Sequence, residues 1–226
     1  MLTAAKAARL IDISAVRTHH TLRDIEEIVA YAKEYKFINV HTLPCWTRQL
    51  AEMLAEVDGV FVGAPVAFPS GAHTTAVKLL EARQLLEDGV EEMDIVMNIG
   101  RFKNQEYDAV LNELQQVIAL AKGKAKTKVI IEINLLSDTE LDKACELVIA
   151  SGADFVKTGT GWVPGDLNMA RIARMCDVCK SKIQIKVAGG IRTASEFQEL
   201  YQMGVQRMGI NAQSAIEIVK AFDTHA

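Results

Sequence analysis

Short β-branched runs alternate along the chain with longer segments in which apolar residues recur every three or four positions. The short runs predict strands at Arg9–Ser14, Phe37–Leu43, Gly59–Ala64, Glu92–Asn98, Lys128–Asn134, Ala153–Thr158, Ile183–Ala188 and Val205–Ile210. The longer segments predict helices, most clearly where Tyr107, Val110, Leu111, Leu114, Val117, Ile118 and Ala121 fall on one face at 3.6-residue periodicity. Similar stripes occur at Leu22, Ile25, Val29 and Ala32 and at Leu79, Ala82 and Leu86. Gly89, Gly123, Gly152 and Gly204 each stand a few residues before a strand, where a left-handed residue closes a helix. The repeating unit is a strand followed by a helix.

Runs such as VIIEI are continuously apolar rather than alternating, as expected of parallel strands covered on both faces. Eight such units without a linker or low-complexity stretch predict an α/β fold of the (β/α)₈ barrel type, a single domain over residues 1–226. An open doubly wound sheet is the alternative, because strand count does not prove closure. In a barrel, chemistry belongs at the C-terminal ends of the strands.

Composition narrows the function classes. Of 226 residues, 50% are hydrophobic and 24% charged, the make-up of a globular protein with a full core. The net charge is −4 and the basic residues are scattered, so no footprint for nucleic acid or an anionic membrane exists, while a small anionic ligand stays open. No window approaches the length needed to cross a bilayer, and MLTAAKAARLIDIS lacks the apolar core of a signal peptide, which predicts a cytoplasmic address. Cys176 and Cys179 form a CxxC, but together with Met169, Ile172 and Ala173 they recur at helical spacing, which predicts core thiols rather than a metal or redox pair.

Three predicted strands carry ionisable residues inside apolar runs: Asp94 in EEMDIVMN, Lys157 in ADFVKTG and Lys186 in IQIKVAGG. A lone lysine in a strand is usually a solvated edge residue. In a barrel both strand faces are covered, so a mid-strand charge must point into the mouth or bear the cost of burial. Two lysines on neighbouring strands and one aspartate suit amine nucleophilic catalysis. A free lysine, with a pKa of about 10.4, is neutral in only roughly one molecule in 2,500 at pH 7. A second ammonium nearby and partial desolvation both depress that pKa, and a carboxylate can relay protons. Gly189 and Gly190 after the seventh strand read equally well as a tight turn or as a backbone phosphate site. GTGWVPG does not have the glycine spacing of a dinucleotide fingerprint.

The segments VGAP, GVEEMDIVMNIG, KVIIEINLLSD, GADFVKTGTG and IKVAGGIRT, in this order, resemble the deoxyribose-phosphate aldolases, from about Leu10 to Val219. The resemblance implies a class I aldolase on a (β/α)₈ barrel that needs no metal or cofactor. It implies that Lys157 forms a Schiff base, that Lys186 perturbs it and that Asp94 belongs to the proton relay. Asp12, Ser14, Lys128, Thr158 and Gly161 then fall in the substrate shell, and Gly189, Gly190 and the turn at Asn211 on the phosphate site. The implied substrate is 2-deoxy-D-ribose 5-phosphate, cleaved through an iminium ion to glyceraldehyde 3-phosphate and acetaldehyde, and the implied assembly is a homodimer.

The sequence departs from that pattern in places. Gly159 replaces the serine of KTSTG, Trp162 stands where many members have phenylalanine or lysine, and Asn211 and Ala212 replace the two serines of the phosphate turn. His41 occupies the usual cysteine position of the second strand; a lone histidine in an apolar strand is more often a core or rim residue, but a ring facing the pocket would bind a substrate hydroxyl or assist proton transfer. Two alternatives stay open: a related Schiff-base aldolase for another short sugar or sugar phosphate, and a barrel that binds a sugar phosphate without turnover. His19 and His20 are expected in an exposed loop and His73 near a helix start.

Overall fold

The computed structural model describes residues 2–223. Eight strands, β1 (Ile11–Ala15), β2 (Asn39–Thr42), β3 (Phe61–Val66), β4 (Glu92–Val96), β5 (Lys126–Ile130), β6 (Phe155–Lys157), β7 (Gln184–Ala188) and β8 (Arg207–Ile210), pair in sequence order, and β8 pairs with β1 to close the barrel. Every pairing is parallel. Closure removes the open-sheet alternative.

The helices are α1 (Ala4–Ala8), α2 (Leu22–Tyr35), α3 (Thr47–Leu54), α4 (Thr75–Glu87), α5 (Ile99–Lys103), α6 (Tyr107–Ala121), α7 (Asp138–Ser151), α8 (Met169–Cys179), α9 (Ala194–Gln202) and α10 (Ala212–Asp223). From α2 to α9 they bring the chain from the C-terminal end of one strand to the start of the next, with α5 and α6 sharing the crossover between β4 and β5, and α10 follows β8. Reciprocal capping boxes open three of them, Thr21 with Asp24, Ser137 with Glu140 and Thr193 with Glu196, so their first turns are satisfied from within the helix. Gly152 closes α7 in the left-handed conformation.

Two expectations shift. The apolar run at Lys128–Asn134 is not all strand: β5 ends at Ile130, Glu132 takes a left-handed backbone (φ 52°) and Ile133–Leu135 form a 3₁₀ turn. The buried stripe of α4 is Lys78, Ala82 and Leu85, one position away from Leu79 and Leu86, because Lys78 is drawn inward. Its Nζ donates to Glu113 Oε1 of α6 at 2.5 Å and to the Val96 carbonyl at the exit of β4 at 2.9 Å. In α8, Cys179 is buried and Cys176 half-buried. His19 is exposed, His20 half-buried at the cavity rim, and His73 directly precedes the Thr74 cap of α4. Among the described residues no helix is long and apolar enough to cross a membrane.

Candidate active site

Side chains at alternate positions of a strand share a face. On the inner face this rule gathers Asp12 and Ser14 from β1, Asn39 and His41 from β2, Glu92 and Asp94 from β4, Lys128 from β5, Lys157 from β6, Lys186 from β7 and Arg207 from β8. Lys157 and Lys186 are direct partners in the β6–β7 register, and Asp94 and Lys128 in the β4–β5 register. The two lysines therefore stand side by side and meet on one oxygen: Lys157 Nζ lies 2.6 Å and Lys186 Nζ 2.9 Å from Asp94 Oδ2.

Beneath them runs a deeper ionic layer. Lys186 Nζ lies 2.6 Å from Asp12 Oδ2, and Asp12 also pairs with Arg207. Glu92 receives Arg207 Nη2 and Lys128 Nζ, each at 2.5 Å, and Lys128 lies 3.5 Å from both Asp12 and Asp94. Lys128 is fully buried in this layer and does not line the cavity, so a direct substrate contact is not available to it. Glu92 and Arg207 complete the layer.

Above it opens a cavity of about 1080 Å³ at the C-terminal ends of the strands. Asp12, Ser14, His41, Asp94, Lys157, Thr158, Gly161, Lys186, Gly189, Gly190 and Asn211 all line it. Lys157 is 7% exposed, against 1% for Lys186 and 0% for Lys128, so among the three lysines it has the most access to the opening. Thr158 is spent on the frame: its hydroxyl donates to the Ala188 carbonyl and accepts from the Ala188 amide, tying β6 to β7 beside the lysines. Gly189 and Gly190 both have positive φ, 92° and 87°, a turn that a side chain would strain. Asn211 uses its side chain to cap α10, accepting from the Ser214 amide and donating to the Ser214 hydroxyl.

The loops close the rim. Trp162 Nε1 donates to the Val16 carbonyl, Arg17 Nη2 donates to the Gly161 carbonyl, and Trp162 meets Phe68 edge-on with ring centroids 5.7 Å apart. Glu132 accepts from both the amide and the hydroxyl of Thr160, and burial raises its pKa. A Cβ at Gly159 would meet Glu132 Oε1 at 2.6 Å, so the glycine in KTGTG is what this carboxylate position requires.

Electrostatics follow from this packing. Burial, opposed by Asp94 and reinforced by Lys186 and Lys128, brings Lys157 down from the usual lysine value of 10.5 to about 8. Burial works to raise Asp94, but pairing with His41 and the ammonium groups of Lys157, Lys186 and Lys128 holds it well below the usual carboxylate range. Asp12 is likewise lowered: burial is outweighed by Lys186, Lys128 and Arg207. At a pKa of about 8, roughly one Lys157 in ten is a free amine at pH 7. A barrel with such an amine at its mouth, held against a carboxylate, is equipped for covalent chemistry on carbonyl compounds.

Comparison with known proteins specifies the family. The model of the DeoC/LacD family of aldolases matches residues 6–213. The deoxyribose-phosphate aldolase of Klebsiella pneumoniae is 38% identical over 225 residues, 99% of this chain and 90% of that protein. That of Enterococcus faecalis is 41% identical over 208 residues, 92% of this chain and 94% of its own. The deoxyribose phosphate aldolase structure from Aeropyrum pernix, described as tetrameric, superposes with a TM-score of 0.90 at 27% identity, covering 100% of this chain and 94% of that one. The chain belongs to the DeoC/LacD family of aldolases.

Proposed function

We propose that this protein is a class I aldolase that cleaves 2-deoxy-D-ribose 5-phosphate to glyceraldehyde 3-phosphate and acetaldehyde, with Lys157 as the Schiff-base amine, Lys186 as the charge beside it and Asp94 as its proton partner. One observation carries the reading: two lysines converge on a single Asp94 oxygen at the floor of an open cavity, and the more accessible one has the depressed pKa. Attack of the Lys157 amine on the open-chain sugar gives an iminium ion, an electron sink that lets the C3–C4 bond break. Asp12, Ser14 and His41 line the same cavity and are the substrate-facing set on β1 and β2. Gly189 and Gly190 offer backbone N–H groups at the phosphate end.

Borohydride reduction in the presence of acetaldehyde, followed by peptide mass analysis, tests the amine. An adduct on Lys157 is expected, and an unmodified protein or an adduct elsewhere refutes the assignment. Acetaldehyde release from deoxyribose 5-phosphate then tests the substrate. A second reading, an aldolase for an unphosphorylated or differently phosphorylated short sugar, is favoured by the Asn211 side chain, which is committed to capping α10 rather than free for a phosphate. The ratio of kcat/KM for deoxyribose 5-phosphate to that for deoxyribose separates the two. A homodimer and a cytoplasmic address belong to the same proposal; sedimentation tests the former.

A further inference from the structure

The turn at Gly189 and Gly190 offers a phosphate only neutral N–H donors. Neighbouring side chains add little: Asn211 is committed to the α10 cap, Ala212 has no polar side chain, and Lys157 and Lys186 are held on Asp94. A phosphate monoester carries close to two negative charges at neutral pH, and bringing that charge into a cavity without a cation is costly. The countercharge must come from the rim.

Among the described residues two guanidinium groups line the cavity, those of Arg17 and Arg192. Arg192 turns back: its Nη1 donates to the Ile191 carbonyl, and its charge acts on Glu196. Arg17 stands on the loop after β1, is exposed, and has no carboxylate partner among the described residues. Its Nη2 donates to the Gly161 carbonyl at 3.1 Å, while Nε and Nη1 make no hydrogen bond to those residues. The Trp162 ring supports the guanidinium, with Cζ 5.4 Å from the ring centroid, and that ring is itself fixed by the Val16 carbonyl and by Phe68. Stacking uses the face of the guanidinium and leaves its in-plane donors free.

Gly161 brings this cation to the turn. A Cβ at Gly189 would lie 3.7 Å from Gly161 Cα, so the two backbones run close together. With standard backbone dimensions, Arg17 Nη2 then lies no more than about 11 Å from Gly189 Cα. A phosphate held between two N–H donors separates their nitrogens by about 7–8 Å. Rotation about the side-chain bonds of an exposed arginine covers the difference. We propose that Arg17 is the phosphate-recognising side chain of this active site: its free N–H groups bond a dianion held at Gly189 and Gly190, and it selects phosphorylated over unphosphorylated sugars. The inference rests on deoxyribose 5-phosphate being the substrate. It supplies the charge that the Asn211 and Ala212 turn lacks, from a loop on the other side of β8.

The test compares kcat/KM for deoxyribose 5-phosphate and for deoxyribose in the wild type and in Arg17→Met. The ratio of the two is expected to fall about 10- to 100-fold in the variant, the weight of one or two charge-assisted hydrogen bonds. Equal losses on both sugars, or an unchanged ratio, show that Arg17 only ties two loops together, and overturn the proposal with the aldolase reading intact. A wild type indifferent to the phosphate overturns it together with the deoxyribose 5-phosphate assignment. Phenylglyoxal labelling read by peptide mass spectrometry needs no turnover. Glycerol 3-phosphate, which has no carbonyl, is expected at ten times its dissociation constant to slow labelling of Arg17 about tenfold, and glycerol to leave it unchanged. Labelling of Arg17 that ignores glycerol 3-phosphate overturns the proposal. That measurement decides the role of Arg17 even where neither sugar is cleaved, an outcome that by itself overturns only the aldolase reading.

Discussion

Replacing Lys186 by leucine removes a positive charge beside Lys157 and leaves the rest of the ionic layer connected, since Asp12 keeps Arg207 and Asp94 keeps Lys157. Both ammonium groups bond the same Asp94 oxygen, at 2.6 and 2.9 Å, so they stand no more than about 5.5 Å apart. At an effective dielectric of about 20, two unit charges about 5 Å apart repel by roughly 3 kcal/mol; the cavity water above Lys157 screens part of this. A loss of about 1.4–3 kcal/mol of repulsion raises the Lys157 pKa by about one to two units, from about 8 toward 9–10. The free-amine fraction at pH 7 then falls about 10- to 100-fold. Competitive acetylation by trace acetic anhydride, read by peptide mass spectrometry across pH, reports that fraction at Lys157 directly. A Lys157 titration in Lys186→Leu that coincides with the wild type would show that burial alone sets the pKa and that the paired lysines have no electrostatic purpose.

Other perturbations test the frame. Glu92→Leu leaves Arg207 and Lys128 without their shared carboxylate and is expected to cost about 3–5 kcal/mol in urea denaturation; a cost below about 1 kcal/mol refutes the deeper layer. Lys78→Met strands the buried Glu113 carboxylate, with a similar loss, and adding Glu113→Leu recovers most of it in a double-mutant cycle. Asp12 and Asp94 have folded pKa values below their unfolded values, so their contribution is complete above about pH 4 and is lost as pH falls through the folded values. Melting temperature is therefore expected to drop steeply below pH 4, and Asp12→Asn to flatten that slope; an unchanged slope contradicts the pairing.

The barrel is legible because parallel strands covered on both faces write continuous apolar runs, and all eight expected runs overlap an observed strand. Ends are less legible. The run VIIEINLL stays apolar past Ile130 because the chain keeps packing against the barrel after Glu132 has turned left-handed, so hydrophobicity carries no mark of where pairing stops. Lys157, Lys186 and Asp94 stand out as charges inside apolar runs. Glu92 and Arg207 do not, because each opens its strand beside polar residues and resembles an ordinary solvated charge. Alternation would have found them: Glu92 is two residues before Asp94, and Asn39 two before His41, hence on the same inward faces. Lys78 is less accessible to sequence reasoning, since its burial depends on Glu113 arriving from another helix.

The ionic layer has an uneven count. Three carboxylates, Asp12, Glu92 and Asp94, are matched by four cations, Lys128, Lys157, Lys186 and Arg207, around a neutral imidazole. The assembly reaches electroneutrality when one cation discharges, and only Lys157 opens onto water enough to do so. The barrel floor thus behaves as a spring wound one charge too tight, and the nucleophile is the place where it relaxes.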